Sequence, residues 1–188
     1  MLSFAKMPFV VDVAELVEQL DANPDLFDTH PERRVSYGSP HSGMSDIWVR
    51  FNKPERVGEN FVNEHIAEWY PCIKRIPAVL DIAHEVFQMV GGEILGGVLI
   101  TKLPAGGRIA SHVDSGWHAE FYDKFYVSLK SPAGSSFGFE CGKIECEPGE
   151  VYQFDNSVPH WVDNDSDSDR ISLIVCVRTF ERSINAAM

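Results

Sequence analysis

The sequence predicts a mainly β protein with flanking helices, an α+β chain whose second half forms an antiparallel sandwich or barrel. Two observations carry this. After Gly92 the apolar period changes from helical to two. Beyond that point, short β-rich segments follow one another at close spacing, separated by Gly-, Pro-, Asn- and Asp-containing turns. At 188 residues the chain fits a single domain. A domain of that size buries about 70% of its unfolded-chain surface, enough to fold without disulfides or structural zinc. The expected division is a helical and loop layer over residues 1–92, with one strand near 47–51, followed by a β core over 93–180.

The elements follow in order. Val13, Leu16, Val17 and Leu20 form a helical stripe, with Asp12 and Glu15 in capping-box positions and Asn23-Pro24 as the stop. Residues 28–45 are polar and turn-rich, a loop placed to cover something, and Ile47–Phe51 reads as a strand. Residues 76–90 form the strongest helix, with Val79, Ile82, Ala83, Val86 and Met89 on one face and Gly91-Gly92 ending it. The strands then expected are Ile94–Leu103, Lys124–Leu129, Ser136–Cys141, Lys143–Glu147, Val151–Phe154, His160–Val162 and Ile171–Val177. A short segment from Arg108 to Ser111 leads out of the Pro104–Gly107 turn.

Charge excludes several partners. The formal net charge is −12, from 16 basic and 28 acidic residues. Residues 1–91 hold 8 basic and 14 acidic groups, and 92–188 hold the same, so neither half offers a basic face. Nucleic acid and anionic membrane are poor partners for such a chain. The N-terminal residues lack the basic and apolar regions of a secretory signal, and the apolar runs are too short to span a bilayer. Cys72, Cys141, Cys146 and Cys176 lack zinc-ribbon spacing and read as free thiols, which points to a cytoplasmic location. The alternating Asp163, Asp165, Asp167 and Asp169 lack the Gly and terminal Glu of a calcium loop.

The chemistry centres on histidine. With seven His and 28 acids, about one His-x-acid is expected by chance. Three occur, at His30-Pro31-Glu32, His112-Val113-Asp114 and His118-Ala119-Glu120. Only His112-Val113-Asp114 sits within the β region at a strand end, where alternation directs both side chains to one side. His160 opens another strand 48 residues on, and Arg170 opens the last one ten residues later. Two His and a carboxylate leave open positions on a metal, the arrangement of non-haem Fe(II) oxygenases. On the last strand, Arg170, Ser172, Ile174 and Cys176 share one face. Alone, Arg170 reads as a rim residue snorkelling to solvent. In order with His112, Asp114 and His160 it reads as a fork for a small carboxylate, with Ser172 adding a hydroxyl.

Three stretches together resemble the catalytic core of 2-oxoglutarate- and Fe(II)-dependent oxygenases, closest to the aspartyl/asparaginyl β-hydroxylase family. They are Leu103–Asp114 (LPAGGRIASHVD), Phe154–Asn164 (FDNSVPHWVDN) and Asp169–Ile174 (DRISLI). The resemblance implies a double-stranded β-helix, a jelly-roll or cupin-like core. It implies Fe(II) on His112, Asp114 and His160, and 2-oxoglutarate held at its distal carboxylate by Arg170 and Ser172. It also implies O2-dependent hydroxylation of a substrate C–H with release of succinate and CO2. Two departures stand out. Vertebrate members lack the acidic ligand that Asp114 supplies, and their Arg-x-His pair corresponds here to Lys124-Phe125-Tyr126, which makes Lys124 and Tyr126 candidate cosubstrate contacts. Both weigh against a protein-aspartyl substrate and leave a free amino acid, a peptide or another small metabolite open. A non-catalytic metal-binding module is the alternative. A nucleic-acid demethylase on the same fold is disfavoured by the charge. Substrate choice is expected to lie in residues 28–45 and 115–123.

Overall fold

The computed structural model describes residues 3–53 and 64–187. Period-two alternation dictates the architecture, because each strand has an apolar set for either face of its sheet. A seven-stranded antiparallel sheet is built from β1 (Phe4–Val10), β2 (Ser45–Phe51), β3 (Glu68–Trp69), β4 (Gly92–Leu103), β6 (Asp123–Lys130), β9 (Glu150–Phe154) and β11 (Arg170–Thr179), in the order β1-β9-β6-β11-β4-β2-β3. A four-stranded sheet faces it, built from β5 (Arg108–His112), β7 (Ser135–Phe139), β8 (Gly142–Ile144) and β10 (His160–Asn164), in the order β5-β10-β7-β8. Two facing antiparallel sheets with these crossovers are the double-stranded β-helix that the sequence led us to expect.

The two faces of the large sheet serve different ends. Ile171, Leu173, Val175 and Val177 of β11 point outward with Phe125, Val127 and Leu129 of β6. Against them pack α1 (Ala14–Ala22), through Leu16 and Leu20, and α3 (Ala78–Met89), through Val79, Ile82, Ala83 and Val86. The inner face meets the small sheet through a second core that includes Leu103, Tyr126, Phe137, Phe139, Phe154 and Val162.

Several local expectations are corrected. The N-terminal region is not only a helical and loop layer, because β1 pairs with β9 at one edge of the large sheet while β2 and β3 extend the other. The N-cap of α1 is Val13, which has no side-chain cap; Asp12, one residue earlier, accepts the Ala14 N–H at 3.0 Å in a local turn, and Glu15 accepts from Gln19, so the capping box does not form. Met89 is 55% exposed in the last turn of α3, beyond the reach of the sheet. The segments expected at Ser136–Cys141 and Lys143–Glu147 are shorter, since Phe139 pairs with Gly142 across a two-residue turn. Asp163 and Asp165 of the acidic run engage Arg108. Short helices at α2 (Glu32–Val35) and α4 (Trp117–Phe121) carry too little pattern to be read from sequence, and α5 (Phe180–Ala187) follows the last strand without a turn signal. No helix among the described residues is long and apolar enough to cross a membrane.

Candidate active site

Strand pairing creates the site. Antiparallel register sets His160 at the start of β10 directly opposite His112 at the end of β5, with ring centroids 4.3 Å apart. Asp114 lies just past β5, where its N–H donates to the Asn156 carbonyl at 3.0 Å. The ligand atoms of His112, Asp114 and His160 all lie within 4.8 Å of one another. His112 Nε2 is 3.7 Å from Asp114 Oδ1, and His160 Nε2 is 4.0 Å from Asp114 Oδ2. Each imidazole is oriented by its own backbone, with Nδ1 at 2.8 Å from the Ala110 carbonyl in His112 and at 2.9 Å from the Val158 carbonyl in His160. A carbonyl only accepts, so the proton sits on Nδ1 and each Nε2 lone pair faces the partners. Burial lowers the His160 pKa, which favours the neutral, ligating form. Burial pushes the Asp114 carboxyl up, but the Lys124 ammonium in contact with it overrides that and holds it well below the usual range. Two imidazole nitrogens and one ionised carboxylate oxygen on one side suit a divalent first-row metal with open positions.

These three residues open onto a cavity of about 600 Å³ between the sheets. Arg170, Ser172, Ile174 and Cys176 all line it, as the period of β11 requires. Arg170 is 2% exposed. Its Nη2 donates to the Tyr126 hydroxyl at 3.1 Å, and its guanidinium lies 5.2 Å from the Tyr126 ring centroid. Its Nε has no hydrogen-bond partner, and no carboxylate forms a salt bridge with it among the described residues. A buried cation without a counter-ion is costly, so this end of the cavity is built for an anionic guest. The rim reading of Arg170 is thereby overturned. Tyr126 joins Arg170, and burial raises its pKa, so it stays a phenol. Lys124 does not join them, because it is paired with Asp114.

Residues outside the predicted set also shape the cavity. Arg33 and His41 come from the 28–45 loop, and Arg33 Nη1 lies 3.3 Å from the buried Asp46, which also accepts from Thr101 at 2.9 Å. Burial and the Arg33 charge push His41 down to about 2, so it is a neutral ring stacked edge-on to His112. His118 of α4 also lines the cavity, 8% exposed, and accepts the Gly97 N–H on Nε2 at 3.2 Å. A side chain at Gly97 would meet that ring at 3.1 Å, so glycine permits this approach. Trp48 lines the cavity, and Trp117 stacks on Phe121. Asn156 ties Asp114 and, through Ala119, the α4 segment, and Asp155 accepts from the Ser157 N–H in the turn before His160. The polarity of residues 28–45 was the one sequence signal for Arg33 and His41, and Asp46 gave none.

A family model described as aspartyl/asparaginyl beta-hydroxylase matches residues 28–179. Among solved structures, the chain is similar to an oxidoreductase of the 2OG-Fe(II) oxygenase family from Burkholderia pseudomallei, with TM-score 0.58 and 13% identity over 94% of this chain and 86% of that one. It is also similar to the viral collagen prolyl hydroxylase from Paramecium Bursaria Chlorella virus-1, solved as a 2OG complex, with TM-score 0.53 and 13% identity over 95% and 96% of the two chains. No curated protein sequence matches it. At these identities the structures speak for the fold alone. The family match spans most of the chain, including every residue of the His112–Asp114–His160 group and Arg170, and the chain therefore belongs to the aspartyl/asparaginyl β-hydroxylase family.

Proposed function

We propose that this protein is an Fe(II)- and 2-oxoglutarate-dependent dioxygenase that hydroxylates a C–H bond of an amino-acid-like or peptidyl substrate. The observation that carries the reading is one cavity joining the His112–Asp114–His160 donor set to a buried guanidinium lacking a counter-ion. Both halves fit the groups concerned. The donor set matches Fe(II) with open positions, and the Arg170 fork matches a carboxylate bidentately. When bound, iron and 2-oxoglutarate supply the redox chemistry, by which O2, 2-oxoglutarate and substrate R–H become R–OH, succinate and CO2.

The chain's own residues bind, orient and shelter. Carbonyls of Ala110 and Val158 set the imidazole tautomers, and Asn156 fixes the backbone at Asp114. Arg170 receives the distal carboxylate, with the Tyr126 phenol holding its guanidinium and Ser172 beside it on the inner face. The loop around Ser36–His41 walls the cavity and restricts water. Anaerobic titration of the Fe(II)-loaded protein with 2-oxoglutarate tests the reading. An optical change is expected, together with O2-dependent succinate formation that His112→Ala and His160→Ala abolish. Arg170→Met is expected to raise the 2-oxoglutarate Kd about 100-fold, equivalent to ~2.7 kcal/mol. Metal binding with no response to 2-oxoglutarate would instead indicate a non-catalytic module.

A further inference from the structure

The cavity has two ends of different chemistry. At one end Arg170 pairs in register with Leu103 of β4. Four residues back along that strand, about 13 Å away, Leu99 lies between Ile174 of β11 and Trp48 of β2. These three and Phe51 give the second end apolar walls. Arg33 and Lys124 bring no free charge to it, since Arg33 is ion-paired with Asp46 and Lys124 with Asp114. His118 stands at this end, because its Nε2 accepts the N–H of Gly97, two residues from Leu99. A backbone N–H only donates, so the imidazole proton lies on Nδ1. Burial keeps the ring neutral by pushing its pKa down to about 3. Ring contacts with Phe51 at 4.9 Å, Tyr122 at 4.7 Å and His65 at 5.5 Å between centroids fix its plane. The residue is 8% exposed, yet its Nδ1–H meets no acceptor among the described residues. Nδ1 is not sealed inside the protein, and the ring borders the cavity, so this N–H opens there. A buried donor among apolar walls is costly to leave unpaired, and a neutral ring offers no charge to offset a buried carboxylate.

Resting on the function proposed above, we propose that His118 is a specificity-determining residue whose Nδ1–H donates to an uncharged carbonyl oxygen of the hydroxylated substrate. The apolar part of that substrate lies against Trp48, Phe51 and Leu99. The substrate class is therefore an apolar group bearing a ketone or amide carbonyl. An amide carbonyl comes either from a peptide main chain or from a small molecule, and the two sources are separable in one experiment.

The full-length protein is loaded with redox-inert Zn(II) and saturated with 2-oxoglutarate, whose own binding is first measured by calorimetry. Probe affinities are then read by ligand-observed NMR. Acetophenone is expected to bind at least as tightly as ethylbenzene, although its carbonyl is costlier to desolvate. Phenylacetamide is expected to bind about ten-fold more tightly than phenylacetate. His118→Phe keeps a ring but no donor, and should lower the acetophenone-to-ethylbenzene affinity ratio about ten-fold. His118→Gln can both accept from Gly97 and donate, and should keep that ratio within about three-fold of the wild type. A His118 that served only as a wall would, when replaced by Phe, weaken both probes alike and leave the ratio unchanged, which overturns the proposal. So does tighter binding of ethylbenzene or of phenylacetate by the wild type, or binding of no probe, and none of these needs a folded variant. Tighter binding of a capped tripeptide with central phenylalanine than of phenylacetamide assigns the carbonyl to a peptide, and the reverse order assigns it to a small molecule. Failure of the wild type to bind 2-oxoglutarate removes the underlying function, whereas 2-oxoglutarate binding without these preferences overturns this inference alone.

Discussion

Buried polar side chains set the properties of individual residues around this site. His118 is held neutral because burial, aided by the Lys124 charge, pushes it down to about 3 from an ordinary value near 6.5. Between those values the unfolded chain binds a proton that the folded chain does not, so stability present above pH 6.5 is lost as pH falls, by up to about 1.4 kcal/mol per pH unit. The melting temperature is therefore expected to drop from pH 7 to pH 5. His118→Gln, which keeps an acceptor for the Gly97 N–H, should show a shallower drop, and equal slopes would remove this role. Arg33, partly buried, pairs with the fully buried Asp46, whose carboxyl is pushed up by burial and pulled down by the Arg33 charge. Arg33→Met leaves the Asp46 carboxylate uncompensated and should cost about 3 kcal/mol in urea unfolding. Adding Asp46→Asn to that variant is expected to restore at least half of the loss. His112, Asp114, His160 and Arg170 were legible because β residue order and period two constrain them. Asp46 and Arg33 were not, because their partnership spans a loop and a strand that no local pattern connects.

At the scale of elements, alternation was the dependable signal. The inward set Arg170, Ser172, Ile174 and Cys176, and the outward set Ile171, Leu173, Val175 and Val177, follow from period two and are found on the expected faces. The β1 strand escaped because an edge strand with one exposed face has weak alternation, and its pairing with β9 bridges most of the chain. A tight turn secures its far end. Gly149 has φ +85°, its carbonyl accepts the Val11 N–H at 3.0 Å, and a Cβ there would lie 2.5 Å from the Val11 carbonyl oxygen. Gly149→Ala is expected to destabilise the fold by ~1–3 kcal/mol in chemical denaturation. Protection of the β1 amides in hydrogen exchange should fall more than that of β6, and uniform loss would refute the local assignment.

For the whole molecule, the notable contrast is between an acidic chain and a cavity that gathers cations. The formal charge of −12 offers an anion no attractive field, yet the fold brings Arg33, Lys124 and Arg170 to one cavity, where Asp46 pairs with Arg33, Asp114 pairs with Lys124, and Arg170 has no carboxylate partner among the described residues. Metal binding should couple to folding of the same unit. Zn(II) or Mn(II) at 100-fold its Kd is expected to add ~2.7 kcal/mol, or about 5–10 °C in Tm by differential scanning fluorimetry. A chelator should reverse the gain, and His160→Ala should abolish it. The sequence by itself determined the β-rich class, the face each β11 residue presents, and the order His112, Asp114, His160, Arg170, because these follow from periodicity and spacing along one chain. Only the tertiary structure decided that Arg170 is buried without a carboxylate, that Lys124 turns to Asp114, and that His41 and His118 wall the cavity. Those facts depend on which distant segments the two sheets bring together, and burial alone decides which charges must find a partner.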